Sequence, residues 1–455
     1  MKISFVDDEP EIFPIQYGGK ARTIINLARA FAELPAVEKV SILSRTIKHP
    51  SQEFVCDKIH FKKLGDYKIV RQILDEASSC DVLNVHACSF TMPYLSGLDT
   101  VITYHLHDVI FATADAGSHL DKAMGNRWSA VISPSQFASK TLTNLWWWSE
   151  QKDRVITVPR GIDFSQFYAV SNKDALEAIS KEDSILAERI KHSYPIIFFP
   201  HRYEANKGEE FLEEVHEKLI SKYSNPLIFA TSANTKTNTS QIAEITWVNT
   251  GFMKYYYSLS DVSMVLSKAP EAFSQVPLES IACGTPVVAF RFGNLANLID
   301  EIPSIYDTKP TSEEISNTIC ILLENKEKCE RDMVLSQALV KERYNLTNVA
   351  GQMLNVYKKL PKVSALGKPT QITNFVREKK RFFTAPTFAM YGGDVFMPTI
   401  GGILKKHCLS SVESDILTFC ESVTSHSELY HKFGNDEATT KTVENLVNLG
   451  LLIEG

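Results

Sequence analysis

Two carboxylates, Glu271 and Glu279, stand eight positions apart in Pro270-Glu271-Ala272-Phe273-Ser274-Gln275-Val276-Pro277-Leu278-Glu279, and the run continues to Gly284-Thr285-Pro286-Val287-Val288-Ala289. A small-aromatic turn separates them, and Glu279 falls where a helix would begin its second turn. Helix N-termini bind anions through unpaired N–H groups and the macrodipole. Free amides at Ala272 and Phe273 would therefore suit phosphates. An ionised Glu279 would suit paired sugar hydroxyls, as acidic residues do in dinucleotide folds. An ordinary amphipathic helix with two exposed glutamates fits the same pair, and the Gly-Thr-Pro-Val-Val-Ala continuation weighs against it.

Other residue sets point to the same chemistry. Arg202 and Lys207 lie five apart in Pro200-His201-Arg202-Tyr203-Glu204-Ala205-Asn206-Lys207-Gly208, a strand-to-helix loop. Both can converge on one diphosphate, the guanidinium as a bidentate clamp and the ammonium as a point charge. With no divalent-metal motif beside it, this pair would neutralise a departing nucleoside diphosphate. Two solvated surface cations are the alternative. His105 and His107 follow an apolar run, and His86 ends another. Histidines at a strand's carboxyl end can donate to sugar hydroxyls or to a developing phosphate charge, though a surface histidine cluster has the same pattern. Gly18-Gly19 precedes an amphipathic helix, where backbone amides can approach a ligand; a plain turn reads alike. Gly161 and Asp163 read as a tight turn and an N-cap, a structural duty.

Positioning these residues takes two sets of alternating strands and helices. Apolar runs at 2–6, 40–43, 82–85, 101–104, 130–132 and 155–158 alternate with helical patterns at 23–33, 69–77 and 136–145. Such alternation predicts βαβ units in a doubly wound parallel sheet. The charged, helical stretch 171–193 reads as the crossing to a second domain. There, strands at 195–199, 226–230, 262–266 and 285–290 alternate with helices at 208–222, 276–283 and 313–324. Residues 231–240 read as a polar surface loop. The expected domains are 1–168 and 169–360, then a linker at 361–384 and a small unit at 385–455. That unit has helical patterns near 410–420, 426–433 and 437–449 and a closing strand at 451–453, a winged-helix-like layout.

The Glu271–Glu279 segment resembles the Glu-x7-Glu signature of retaining glycosyltransferases of family 4, and the resemblance extends from residue 1 to about 360. Arg202-x4-Lys207-Gly208 and the glycine loop at Gly18-Gly19 match that family's motifs, and His105 and His86 match strand-terminal histidines in it. The resemblance implies the GT-B architecture, two Rossmann-like domains facing a cleft, and transfer from a nucleotide-sugar donor with retention and no required metal or cofactor. It implies that Glu271 lies near the donor sugar, that Glu279 holds the ribose, and that amides of Ala272, Phe273 and Ser274 cap sugar hydroxyls and phosphate. Arg202 and Lys207 would bind the diphosphate, His105 would join the catalytic set, and His86 and His107 would line the acceptor side. Two departures stand out: His201 where the family commonly has glycine, and Arg160 where an asparagine is usual. UDP is the nucleotide expected on family frequency. Residues 385–455 resemble PqqD-type peptide-recognition domains, which implies a peptide or protein acceptor beside sugars and small molecules.

Composition narrows the alternatives. A hydrophobic content of 44% with 22% charged residues is that of a globular protein with ample core. No apolar run reaches the ~20 residues of a membrane span, so membrane association is expected to be absent or peripheral. Eight cysteines lack CxxC or metal spacing, which fits a reducing cytoplasm and no metal site. The net charge of −6 opposes nucleic-acid binding, and so do four lysines and no arginine against nine acidic residues in 385–455. Self-association is compatible with the sequence. Trp146-Trp147-Trp148 and Tyr255-Tyr256-Tyr257 read first as packing, and Arg377-Glu378-Lys379-Lys380-Arg381 as solvated linker. Two rival readings are a nucleotide-sugar epimerase, which would not carry these motifs, and a transferase-like scaffold with a regulatory or peptide-binding role.

Overall fold

The computed structural model describes residues 1–7, 19–45, 57–65, 68–86, 95, 98–107, 128–144, 149–201, 206–232, 242–246, 250–366, 381–385, 388–398, 404–421, 424–449 and 451–454. The chain divides into two compact units. One comprises 1–161 and 346–380, the other 162–345 and 381–454.

The first unit is built on β1 (Lys2–Asp7), β2 (Lys39–Ser44), β3 (Ile59–Lys63), β4 (Val82–His86), β5 (Val101–His105), β6 (Ala130–Ser133) and β7 (Val155–Thr157). They form one parallel sheet in the order β3-β2-β1-β4-β5-β6-β7. Ile3, Phe5, Val82 and Ile102 are all buried because helices cover both faces of such a sheet, which demands near-continuous apolar strands. The helix Gly19–Glu33 lays Ile24, Leu27, Ala28 and Phe31 into this core. The helix Leu346–Tyr357 returns from the second unit's sequence to add Val349, Met353 and Tyr357 to the same core.

The second unit repeats the plan with β8 (Ile196–Phe199), β9 (Leu227–Ser232), β10 (Ile242–Thr246), β11 (Val262–Val265), β12 (Val287–Ala289) and β13 (Ile305–Asp307). Their order is β10-β9-β8-β11-β12-β13, all parallel. The stretch predicted as a crossing forms two helices, Asn172–Glu182 and Ser184–Lys191, capped by Ser171 and Asp183. Their buried Ala175, Ile179, Leu186 and Ile190 belong to this unit's core.

The remaining strands are β14 (Arg381–Thr384), β15 (Ala389–Tyr391), β16 (Asp394–Pro398), β17 (Leu404–Cys408), β18 (Thr424–Ser425) and β19 (Leu452–Glu454). β14 pairs antiparallel with both β18 and β19. Helices Ser411–Phe419, His426–Phe433 and Glu437–Asn448 accompany them, the first two opening with capping boxes at Ser410 and Ser425. The expected linker is corrected at both ends. Residues 363–366 are a helical turn whose Val363 joins the first unit's core, and 381–384 are the central strand β14. Residues 389–408, for which no element was expected, carry a meander, β15-β16-β17. Along β16 the two faces serve different cores. Phe396 packs with Ile315 and Ile319 of the helix Ser312–Glu324, while Val395 packs with Ile416, Leu429 and Leu446. A period of two puts neighbouring side chains on opposite faces, so one strand closes both cores.

Candidate functional site

In open α/β sheets ligands bind outside the carboxyl ends of the strands where the strand order reverses. In the second unit that point lies between β8 and β11, and the loops leaving these two strands carry Lys207 and Glu271. Lys207 Nζ donates to Glu271 Oε1 at 2.6 Å, and Ser267 Oγ donates to the same oxygen at 2.6 Å. Both side chains of the ion pair keep about a fifth of their surface exposed. Burial pushes the Glu271 carboxyl up, but Lys207, His201 and the Ser267 hydroxyl outweigh it and hold the group at about 2. Glu271 is therefore ionised at neutral pH, and in this structure Lys207 neutralises it.

Backbone packing fixes both loops. Lys268 N donates to Asn206 O at 2.8 Å, and the buried Lys268 ammonium pairs with Glu210. Gly208 has φ +87, and a Cβ there would lie 2.6 Å from both Leu266 Cβ and Leu266 O. Gly293 has φ +59, and a Cβ there would lie 2.7 Å from the Glu271 nitrogen and 2.8 Å from Pro270 Cα. Asn294 N donates to Glu271 O at 3.1 Å. Only glycine meets both demands at these two positions.

Glu279 sits in the first turn of the helix Val276–Ala282 and is 3% exposed, which removes the reading of two exposed glutamates. Tyr257 Oη donates to its Oε2 at 3.4 Å. Tyr256 and Tyr257 are core residues of the helix Met253–Leu259, as packing predicted. Ala272, Phe273 and Ser274 are buried, Phe273 against Tyr344, and the Ser274 Oγ has no hydrogen-bond partner among the described residues. Arg202 lies outside the described residues, as do Gly18 and Trp146-Trp147-Trp148.

In the first unit the order reverses between β1 and β4, where the strand ends place Asp7 opposite His86 in register. Lys20, from the first turn after Gly19, pairs with Asp7 at 3.2 Å. His86 Nδ1 lies 2.6 Å from His107 Nε2, and the His86 ring stacks on His105 at 4.4 Å between centroids. Asn84 Oδ1 lies 3.1 Å from His105 Nε2 and accepts from Thr103 Oγ1 at 2.6 Å. Arg160, noted on sequence only as standing where an asparagine is usual, reaches His107 Nδ1 at 2.9 Å and the His107 carbonyl oxygen at 3.4 Å. Burial, then the Arg160 charge, pushes His105 down to about 3, and burial also lowers His86 and His107 well below their ordinary range. All three rings are neutral at pH 7. His86 and His105 are buried, while His107 and Arg160 are half-buried and line a cavity of about 30 Å³ with Thr23 and Asn26.

No group of three or more potential metal ligands occurs among the described residues, and no described helix is long and apolar enough to cross a membrane. Sequence reasoning named Lys207, Glu271, His86 and His107, which the structure brings into contact as two pairs, and it missed Ser267, Asn84, Tyr257 and the contact of Arg160 with His107. A charged residue shortly after a strand, as Arg160 is three positions beyond the end of β7, was the signal available.

Residues 180–333 match the family described as Glycosyl transferases group 1. An uncharacterized glycosyltransferase of Methanocaldococcus jannaschii is 26% identical over 174 residues, which are 36% of this chain and 44% of that relative. Among solved structures, Anabaena HepE in complex with UDP and glucose superposes with a TM-score of 0.62 at 16% identity, covering 79% of this chain and 100% of HepE. Sucrose-phosphate synthase of Thermosynechococcus elongatus gives 0.61 at 16% identity, covering 78% and 98%. The fold is GT-B-like, with two Rossmann-like parallel-sheet domains and an additional C-terminal part.

Proposed function

We propose that this chain is a retaining glycosyltransferase that moves a sugar from a UDP-sugar to a hydroxyl acceptor without a metal ion. The Lys207–Glu271 pair carries the reading. It lies at the switch point of the second sheet, inside the segment that matches group 1 glycosyl transferases. Lys207 exchanges its carboxylate for the donor diphosphate, beside Arg202, and Glu271 turns to the donor sugar. Glu279 holds the ribose hydroxyls, and amides of Ala272, Phe273 and Ser274 meet sugar hydroxyls and phosphate. The anomeric C–O bond to the diphosphate breaks as the acceptor oxygen bonds to the same face, and the acceptor proton passes to the departing phosphate. Two cations that stabilise this leaving charge make a metal unnecessary. His105 joins the catalytic set, His86 and His107 line the acceptor side, and the glycine loop at Gly18-Gly19 binds the donor. Residues 381–454 recruit a peptide or protein acceptor by strand addition, which raises its concentration near the reacting groups. We place the reaction in the cytoplasm.

A thermal-shift panel of nucleotide sugars tests this reading. UDP-glucose at about 100 times its Kd should stabilise the protein by roughly 2.7 kcal/mol, and UDP release should persist in EDTA. No shift with any nucleotide sugar would sink the proposal, and loss of turnover on chelation, restored by manganese, would sink its metal-free part.

A further inference from the structure

We infer that Arg160 is a positioning residue that sets the ring tautomers of His107 and, through it, of His86. The inference rests on reading this cluster as the acceptor side, but its spectroscopic test does not. A guanidinium has only N–H donors. Its terminal nitrogen lies 2.9 Å from His107 Nδ1, so that nitrogen is a bare acceptor. A neutral imidazole carries one N–H, which must then sit on His107 Nε2. That atom is 2.6 Å from His86 Nδ1, so His107 donates and His86 Nδ1 is bare in turn. The hydrogen of His86 is therefore on Nε2. Reversing the chain would leave His107 with two bare nitrogens, an imidazolate, which a neutral imidazole becomes only under strongly alkaline conditions.

The arrangement is over-determined. The same guanidinium nitrogen bonds the His107 carbonyl oxygen at 3.4 Å, which fixes the ring's rotamer as well as its tautomer. The stack of His86 on His105 holds the second ring. Among the described residues, the charged or titratable groups around these rings are Asp7 at the end of β1, Lys20 on the first helix, His105 on β5, Arg160 after β7, and Tyr357 on the returning helix. Lys20 and Arg160 both disfavour a proton on either ring. The cavity beside His107 and Arg160 has volume for a water or a ligand hydroxyl, which needs roughly 10–15 Å³. A hydroxyl entering there meets a guanidinium whose orientation the histidine chain fixes, and rings with defined donors and acceptors.

Ring-nitrogen correlation spectra of 15N-histidine-labelled full-length protein read the tautomers directly, without substrate. Wild type should show His107 and His86 each as a single neutral tautomer with Nε2 protonated and Nδ1 bare. Arg160→Met should convert both to tautomer mixtures, and Arg160→Lys, which restores one donor, should return His107 to one form. UDP release from UDP-glucose should fall roughly tenfold or more in Arg160→Met, the scale of a lost charged hydrogen bond. A protonated Nδ1 on wild-type His107 overturns the inference even where the variants do not fold, and so do unchanged tautomers in Arg160→Met. If the tautomers shift while UDP release stays at the wild-type rate, the tautomer assignment stands and the acceptor-side reading of this cluster fails.

Discussion

Replacing Gly293 with alanine attacks the proposed donor site without touching any group that would bind substrate. The added Cβ would lie 2.7 Å from the Glu271 nitrogen, 2.8 Å from Pro270 Cα and 2.9 Å from the Glu271 oxygen, all backbone atoms that cannot rotate aside. Gly392 supplies an internal control, because it has φ +63 against +59 at Gly293 yet nothing within 4 Å of its Cβ position. Both alanines carry backbone strain of about 1–3 kcal/mol. Only Gly293→Ala adds the overlap, typically another 1–3 kcal/mol. Relief has to move the 270–271 backbone, and that movement takes the Glu271 carboxylate off Lys207 and Ser267. A urea midpoint lower than that of Gly392→Ala is therefore expected, together with UDP-glucose affinity reduced roughly tenfold, which corresponds to about 1.4 kcal/mol of lost positioning. Calorimetric titration of both variants measures the second quantity. Equal midpoints with wild-type affinity in Gly293→Ala would refute the claim that this contact holds the Glu271 loop.

Two further outcomes follow from contacts in the second unit. Lys207→Met removes the main charge opposing burial at Glu271, so its carboxyl should rise from about 2 toward or above the ordinary 4.5. In wild type the depressed value contributes stability that is present above about pH 4.5 and lost as pH falls toward 2. The variant should lose that dependence, and identical acid-unfolding curves for the two proteins would contradict the assignment. Phe396→Ala should cost about 3–5 kcal/mol although it lies beyond both Rossmann-like sheets, because Phe396 shares a core with Ile315 and Ile319. By the same packing, a chain cut before residue 385 should melt lower than one ending after Cys408, and equal melting temperatures would show that the meander does not complete this core.

Most of the fold was legible because buried parallel strands leave a crude signal. Runs such as Ile196–Phe199 are apolar throughout, and the helices between them carry one apolar stripe. Glu271, Glu279 and Lys207 drew attention through the spacing and the Gly and Pro flanks of their own segments, whereas the contact of Lys207 with Glu271, 64 positions apart, comes from the order of the sheet. The meander was not legible. β15 and β17 are short edge strands with polar residues such as Lys405 and Lys406 on them, and their pairing depends on partners that no local pattern specifies. The strand β14 was lost in a basic stretch, where Arg381 reads as linker until β18 and β19 are seen on either side.

The Arg160 case marks the deeper limit. Its neighbour Asp163 has a duty that local sequence explains, since it accepts from Ser165 N at 2.9 Å within its own turn, whereas Gly161, expected as a tight turn, instead makes room for Leu346, whose Cα a Cβ there would meet at 2.6 Å. Arg160 has a duty 53 positions away, at His107, and nothing in the intervening chain encodes that distance. The parallel sheet creates it. β5 and β7 are both neighbours of β6, so the residues just beyond their carboxyl ends are brought to the same edge of the sheet whatever the loops between them. A doubly wound sheet thus converts strand order into adjacency of strand-end residues. Once the order is known, the polar residues that follow each strand become a short set of candidates for one site: Asp7, His86, His107 and Arg160 in the first unit, His201, Lys207 and Ser267 in the second. That set holds four of the polar side chains gathered at the first switch point, lacking Lys20, Asn84, Thr103 and His105, and at the second it lacks Glu271, yet it includes the arginine whose contact with His107 spacing did not reveal.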